Sequence, residues 1–228
     1  MKKRSLVVLS ALFVFAVSLA FKADSKNVAL FWIVKNNVEK SAEGGKDWKS
    51  AKKGELIYDN DAVRTEKDAF ALIKFNDTST LRLGPGSEVQ VYGENTPSST
   101  NIKTGEVGFN MAKQKDRAFQ FTTPTAVASI RGTEGLFAIQ LNGTDFLTII
   151  EGLVRLSNKF SNDTVDVGAG ETGESSGDGK ISVHKSTQDD LNRLAQLNNL
   201  FGQRHELKLQ FKGSDGQMHE IIIETQQE

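Results

Sequence analysis

The stretch Thr122–Leu156, TTPTAVASIRGTEGLFAIQLNGTDFLTIIEGLVRL, decides how the rest of the chain is read. Pro124 has no N–H to give a ladder and belongs at a strand start or an edge. Ala126–Ile130 follows as a strand of small residues that permits close approach of another layer. Gly132, between Arg131 and Thr133, sits where a bulge or corner uses the φ freedom of glycine. Gly135–Leu141 and Phe146–Ile150 read as strands joined across Asn142-Gly143, a strong hairpin signal. Glu151-Gly152 interrupts, and Leu153, Val154 and Leu156 resume.

The same grain extends upstream to Gly54. Ala62–Thr65 and Ala69–Phe75 are strand-like, and Asn76–Ser79 is a turn. Leu81 and Leu83 then alternate with polar residues, Gly84-Pro85-Gly86 turns the chain again, and Val89 and Val91 alternate next. Past the loop Gly93–Thr100 come Val107, Phe109 and Met111, then Phe119 and Phe121. Strand signals every eight to twelve residues with period-two alternation predict a mainly β fold, a sandwich, roll or short β-solenoid, with no βαβ rhythm. Val28–Val34 reads as a strand buried on both faces, or as a first strand lying across the core. Asn36–Lys53 reads as a polar loop in which Trp48 anchors onto the sheet. Thr164–Val167 closes the run before Gly168–Gly179, which reads as an exposed loop or linker.

The last third differs. Thr187-Gln188-Asp189-Asp190 resembles a capping box, Leu191, Leu194, Leu197 and Phe201 follow at helical spacing, and Gly202 suits a C-cap. A hairpin then pairs Leu207 with Ile223 and Phe211 with His219 through a loop at Ser214-Asp215-Gly216, because only an odd loop puts Leu209 and Ile221 on one face. Helix and hairpin together are too small to stand alone and are expected to dock on the β domain.

Among 228 residues there are 28 basic and 29 acidic side chains, a net charge of −1, and no cysteine. The balance argues against a nucleic-acid partner, and the missing cysteines exclude disulfides, thiol chemistry and a lipid-bearing N-terminal cysteine. Lys2, Lys3 and Arg4 precede the apolar run Leu6–Leu19, and Ser18-Leu19-Ala20 offers small residues for cleavage after Ala20. The run is too short to span a bilayer as a helix. The expectation is an exported, periplasmic or secreted protein with no membrane span after cleavage. The chain then divides into a signal peptide (1–20), a β domain (28–175), a linker (176–186) and a helix-plus-hairpin appendage (187–228).

Catalytic constellations are not evident. Gly168-Ala169-Gly170-Glu171-Thr172-Gly173 has the G-x-G-x-x-G spacing, but Ser175-Ser176-Gly177-Asp178-Gly179 after it cannot open the helix a dinucleotide needs. His184, His205 and His219 do not converge as a metal site would require. Asn76, Asn142 and Asn162 open N-x-T sequons. No nucleophile elbow, zinc-protease helix or Walker lysine occurs. The expectation is a non-enzyme with no catalytic, cofactor or metal residues. Arg131 and Glu134 are the candidate residues. Arg131 either contacts a carboxylate-bearing partner or bridges the corner to Glu134 or Glu151.

From Gly54 to Gly173 the chain resembles the FecR domain family. The resemblance rests on Asp61-Ala-Val-Arg-Thr65, Phe75-Asn-Asp-Thr-Ser-Thr-Leu-Arg-Leu83, Glu88-Val-Gln-Val91 and Gly105-Glu-Val107. It continues through Thr123-Pro-Thr-Ala126, Ile130-Arg-Gly-Thr-Glu134 and Glu151-Gly-Leu-Val154. It implies an all-β envelope domain that works by protein contact without catalysis. Asn60 stands where the family usually has glycine, and Gly135 is an insertion. The family archetype places a sigma-factor-binding segment and a membrane span where this chain has its apolar leader. The partner expected is an envelope protein or cell-wall glycan in surface signalling or envelope organisation. The alternatives are a transmembrane relay acting through a separate anti-sigma protein, or a glycan-modifying envelope enzyme.

Overall fold

The computed structural model describes residues 27–93, 98–113, 118–201, 205–212 and 218–225. The proposed signal peptide, Gly202 and the loop at Ser214–Gly216 lie outside the described residues. In chain order the strands are β1 Asn27–Lys35, β2 Val38–Ser41, β3 Trp48–Ser50, β4 Leu56–Tyr58, β5 Ala62–Thr65, β6 Phe70–Phe75, β7 Thr80–Leu83, β8 Glu88–Tyr92 and β9 Ser99–Asn110. They continue as β10 Phe119–Thr122, β11 Ala126–Ile130, β12 Glu134–Ile139, β13 Thr144–Glu151, β14 Leu153–Asn158, β15 Thr164–Gly168, β16 Glu171–Ser176 and β17 Ile181–Lys185. Helix α1 is Gln188–Leu200, and β18 His205–Lys212 and β19 Met218–Thr225 end the described chain.

Two sheets pack face to face. One runs β4-β1-β6-β7-β9-β12-β13-β16-β17 and the other β3-β2-β5-β8-β9-β10-β11-β14-β15. The first is called the helix-side sheet below and the second the open sheet. Period-two alternation puts Ile73, Leu81, Phe109 and Phe137 of the first sheet against Val89, Ile102, Phe121 and Val154 of the second, all in one core. Phe121 stacks at 5.1 Å from Phe109 and 5.2 Å from Phe137, tying the layers at their centre.

Strand β9 belongs to both sheets. Its first half pairs with β8 and β10, its second half with β7 and β12. The crossing falls at Gly105, whose φ is +91° and where a Cβ would lie 2.5 Å from Ser87 Cα, so only glycine passes. After β9 the chain lays down hairpins alternately: β10–β11 in the open sheet, β12–β13 in the helix-side sheet, β14–β15 in the open sheet and β16–β17 in the helix-side sheet. In the last two hairpins the first strand adds to the exposed strand of the hairpin laid down two steps earlier. The fold is thus a sandwich built of alternating hairpins.

The stretch Thr122–Leu156 behaves as read. Pro124 turns β10 into β11, Ala126–Ile130 is β11 itself, Gly132 has φ +63° and Gly152 φ +97°. Asn142-Gly143 makes a three-residue loop with Leu141, in which Gly143 takes the positive φ and Gln140 N–H donates to Thr144 O. The hairpin β18–β19 has the expected register, Leu207 opposite Ile223 and Phe211 opposite His219.

Four expectations change. Gly168–Gly179 is not a loop: it contains β16, and β17 occupies much of the segment assigned to a linker over 176–186. The inward positions of β16 are Gly173, where Val167 and Leu156 leave no room for a side chain, and Ser175, fully buried. Asn36–Lys53 holds β2 and β3. Val28–Val34 is not buried on both faces, since a bulge after Phe31 leaves Trp32 44% exposed, with Lys74 over its ring at 4.7 Å. Trp48 carries the Arg64 guanidinium at 4.3 Å, a stacked anchor.

Helix α1 begins with the expected capping box: Thr187 Oγ1 accepts from Asp190 N–H and Asp190 Oδ2 accepts from Thr187 N–H. Phe201 caps its other end. Leu194, Leu197 and Phe201 are buried on the outer face of the helix-side sheet against Leu72, Leu136, Ile33 and Phe70, while Leu191 stays largely exposed. Leu197 fits because Gly84 and Gly108 beneath it have no side chains. No helix among the described residues is long and apolar enough to cross a membrane.

Candidate functional site

The two candidate residues sit at the corner where the chain leaves β11 in the open sheet and enters β12 in the helix-side sheet. Gly132 makes the corner. Thr133 O accepts Met111 N–H at 3.0 Å, which ties the corner to the end of β9. Beside it lies a recess of about 310 Å³ lined by Asn110, Lys113, Gly132, Glu134 and Glu151, among others.

The corner does not join Arg131 to either glutamate. Glu134 Oε1 takes Arg82 Nη1 at 3.3 Å, and Glu134 Oε2 accepts from Asn110 Nδ2 at 3.3 Å. Arg82 also donates to Asn198 Oδ1 on α1 at 3.0 Å, and this hydrogen bond fastens the helix to the sheet. Glu134 is therefore part of a structural bracket. Arg131 is exposed and, among the described residues, makes no side-chain hydrogen bond or ion pair, so its planar fork of donors faces solvent. In the sequence Arg82 shows only as a polar residue alternating with Leu81 and Leu83, and nothing local signals its role.

A second recess, about 550 Å³, opens where the β12–β13 and β16–β17 turns meet and includes Asn142, Thr144, Glu174, Asp178 and Lys180 in its lining. Its charges are spent locally. Lys180 Nζ lies 2.6 Å from Asp178 Oδ2, and with Ser176 it holds the Asp178 carboxyl well below the usual carboxylate range. The Gly168–Gly173 motif is the turn into β16 and the strand itself, with no helix behind it to receive a phosphate.

Next to this recess His184 joins β17 to its surroundings. Its Nδ1 is 2.8 Å from Lys185 O and its Nε2 is 3.0 Å from Glu174 Oε1. Both ring nitrogens face acceptors, and only the imidazolium supplies two N–H groups. The Lys185 carbonyl first, then Glu174 and Asp190, raise the pKa of His184 despite the opposing effect of burial. Asp190 resists its own burial through hydrogen bonds from Thr187, which keep its carboxyl below the ordinary value. His205 and His219 lie on β18 and β19, opposite Thr225 and Phe211, as expected. No group of metal-ligating side chains occurs among the described residues.

Residues 61–155 match the family described as FecR protein. Two crystal structures of candidate anti-sigma factors from Parabacteroides distasonis ATCC 8503 share the fold. One has 15% sequence identity and a TM-score of 0.51, covering 59% of this chain and 64% of its own. The other has 16% identity and a TM-score of 0.52, covering 64% of this chain and 68% of its own. The chain thus spans about two thirds of these structures. Comparison with curated proteins gives no match.

Proposed function

We propose that this chain is an exported, non-enzymatic FecR-type interaction module of the cell envelope that takes part in signalling through protein contact. The FecR match over residues 61–155 carries the reading. The corner supports it: Glu134 is held by Arg82 and Asn110, while Arg131 presents an open guanidinium suited to a partner's carboxylate. The likeness in fold to the candidate anti-sigma factors favours a place in a relay with a separate anti-sigma protein. A photo-crosslinking side chain at position 131, used in intact cells with fractionation, is expected to capture one envelope protein. Recovery of the chain only in the cytoplasm, or no specific adduct, overturns the proposal.

A further inference from the structure

The two ends of the sandwich are closed differently. At one end the edge strands β3 and β4 are three residues each, and the 51–55 connection crosses between the sheets. That connection is stitched by Ala51 N–H to Val38 O at 2.8 Å and Gly54 N–H to Phe31 O at 2.8 Å, with Ala51 buried. At the other end the edges are β15 and β17, five residues each. Val165, Ile181 and Val183 there are only partly buried against the core. Among the described strands β15 pairs with β14 alone.

The alternation of hairpins shows what such an edge takes. In the open sheet the edge of β11 received β14 as an antiparallel strand, with Val154 and Leu156 turned into the core. After β16–β17 in the helix-side sheet, the next position in the sequence of additions is the outer edge of β15. Among the described residues none fills it, because α1 leaves across the outer face of the other sheet, and β18 and β19 pair with each other.

The backbone of β15 is set for pairing. Asn158 N–H donates to Asp163 O, and in an antiparallel ladder bonded and non-bonded pairs alternate. Asp166, opposite Arg155, is therefore in a non-bonded pair and turns its N–H and C=O away from β14.

We propose that the outer edge of β15 is a strand-addition site that takes an antiparallel segment of a partner protein, apolar at alternate positions. The inward apolar side chains cover the half-open seam of Val165, Ile181 and Val183, as Val154 and Leu156 cover the core beside β11. The Asp166 side chain is held back on β14 by Arg155, at 3.1 Å from its Nε, which leaves the main chain of the edge uncovered. Main-chain bonds supply affinity in this mode and the alternating pockets supply specificity. The inference deepens the interaction-module reading by naming the edge and the form of the partner.

The test uses the full chain and a labelled peptide of residues 152–159, the strand that occupies the corresponding edge of β11. Fluorescence anisotropy is expected to show saturable binding, with slowed amide exchange at Asp166. Asp166→Pro removes an N–H that makes no bond to β14 and is expected to weaken binding at least tenfold. Should that variant fold poorly, the exchange measurement on the unmodified chain decides. Absent binding, protection elsewhere than β15, binding unchanged in Asp166→Pro, or a dimer paired through β15 each overturns the site. Those failures leave the reading tested by crosslinking from position 131 standing, so the two are separable.

Discussion

Leu197 seats α1 on two glycines, and that seat can be measured. Its side chain is 1% exposed; a Cβ on Gly108 would lie 2.8 Å from Leu197 Cδ2, and one on Gly84 would lie 3.0 Å from Cδ1. Leu197→Ala deletes a buried side chain and leaves a void, a cost of about 2–5 kcal/mol. Gly108→Ala forces a methyl into the space the leucine fills, costing about 1–2 kcal/mol, toward the lower end for overpacking because the clash is with a side-chain tip. In the double variant the new methyl enters the vacated space, so the overpacking cost disappears and part of the void is filled. The double variant is expected to be more stable than the sum of the singles by about 1–2 kcal/mol. At about 2–4 °C per kcal/mol for a chain of this size, Leu197→Ala alone lowers Tm by about 4–20 °C. Urea melts of the four proteins followed by circular dichroism give the cycle, provided their m-values agree. Additivity within about 0.5 kcal/mol would show that Leu197 does not rest on Gly108 and refute the seat.

Three other outcomes follow from the geometry. Arg82→Ala leaves Glu134 and Asn198 without their shared donor and should cost about 2–3 kcal/mol, with Arg82→Ala/Glu134→Gln less damaging than the sum; equal melts for wild type and Arg82→Ala refute the bracket. Gly132→Val places a β-branched residue at φ +63°, with its Cβ 2.9 Å from Lys113 Cβ, and is expected to lower stability by more than about 1 kcal/mol. Coincident thermal melts would count against the corner. The folded-state pKa of His184 is raised above 6.5, so its contribution is fully present below that value and is lost as pH rises through the folded-state value. The Tm gap between wild type and His184→Asn should therefore be widest in acid and close at alkaline pH, and a gap independent of pH would remove the imidazolium.

Much of the fold was legible because local chemistry and tertiary structure agree. Ala126–Ile130, the corner at Gly132 and the restart at Gly152 are turns and strands that glycine, proline and alternation announce. The capping box at Thr187 and the register of β18 with β19 follow from equally local rules. Strand β16 was hidden for a physical reason. Its inward residues are small for two reasons: Val167 and Leu156 close over Gly173, and buried polar groups surround Ser175. Asp145 accepts Thr125 N–H at 2.8 Å, and Asn158 Nδ2 donates to Ser175 Oγ at 2.9 Å. A strand packed on buried hydrogen bonds shows no apolar alternation, and its glycines and serines look like a loop. The Arg82 bracket was equally opaque, since its partner Asn198 is 116 residues away and the helix covering it is placed only by the fold. At the corner, only the three-dimensional arrangement separates the structural glutamate from the solvent-facing arginine.

Strand β9 lies fifth from either edge in both sheets, with its crossing at Gly105. Two layers held only by apolar side chains can shear past one another, but a covalent strand through their midpoint acts as a rivet. It opposes sliding of one sheet over the other at their centre, and the corners where the chain passes from sheet to sheet on either side of it add to that hold.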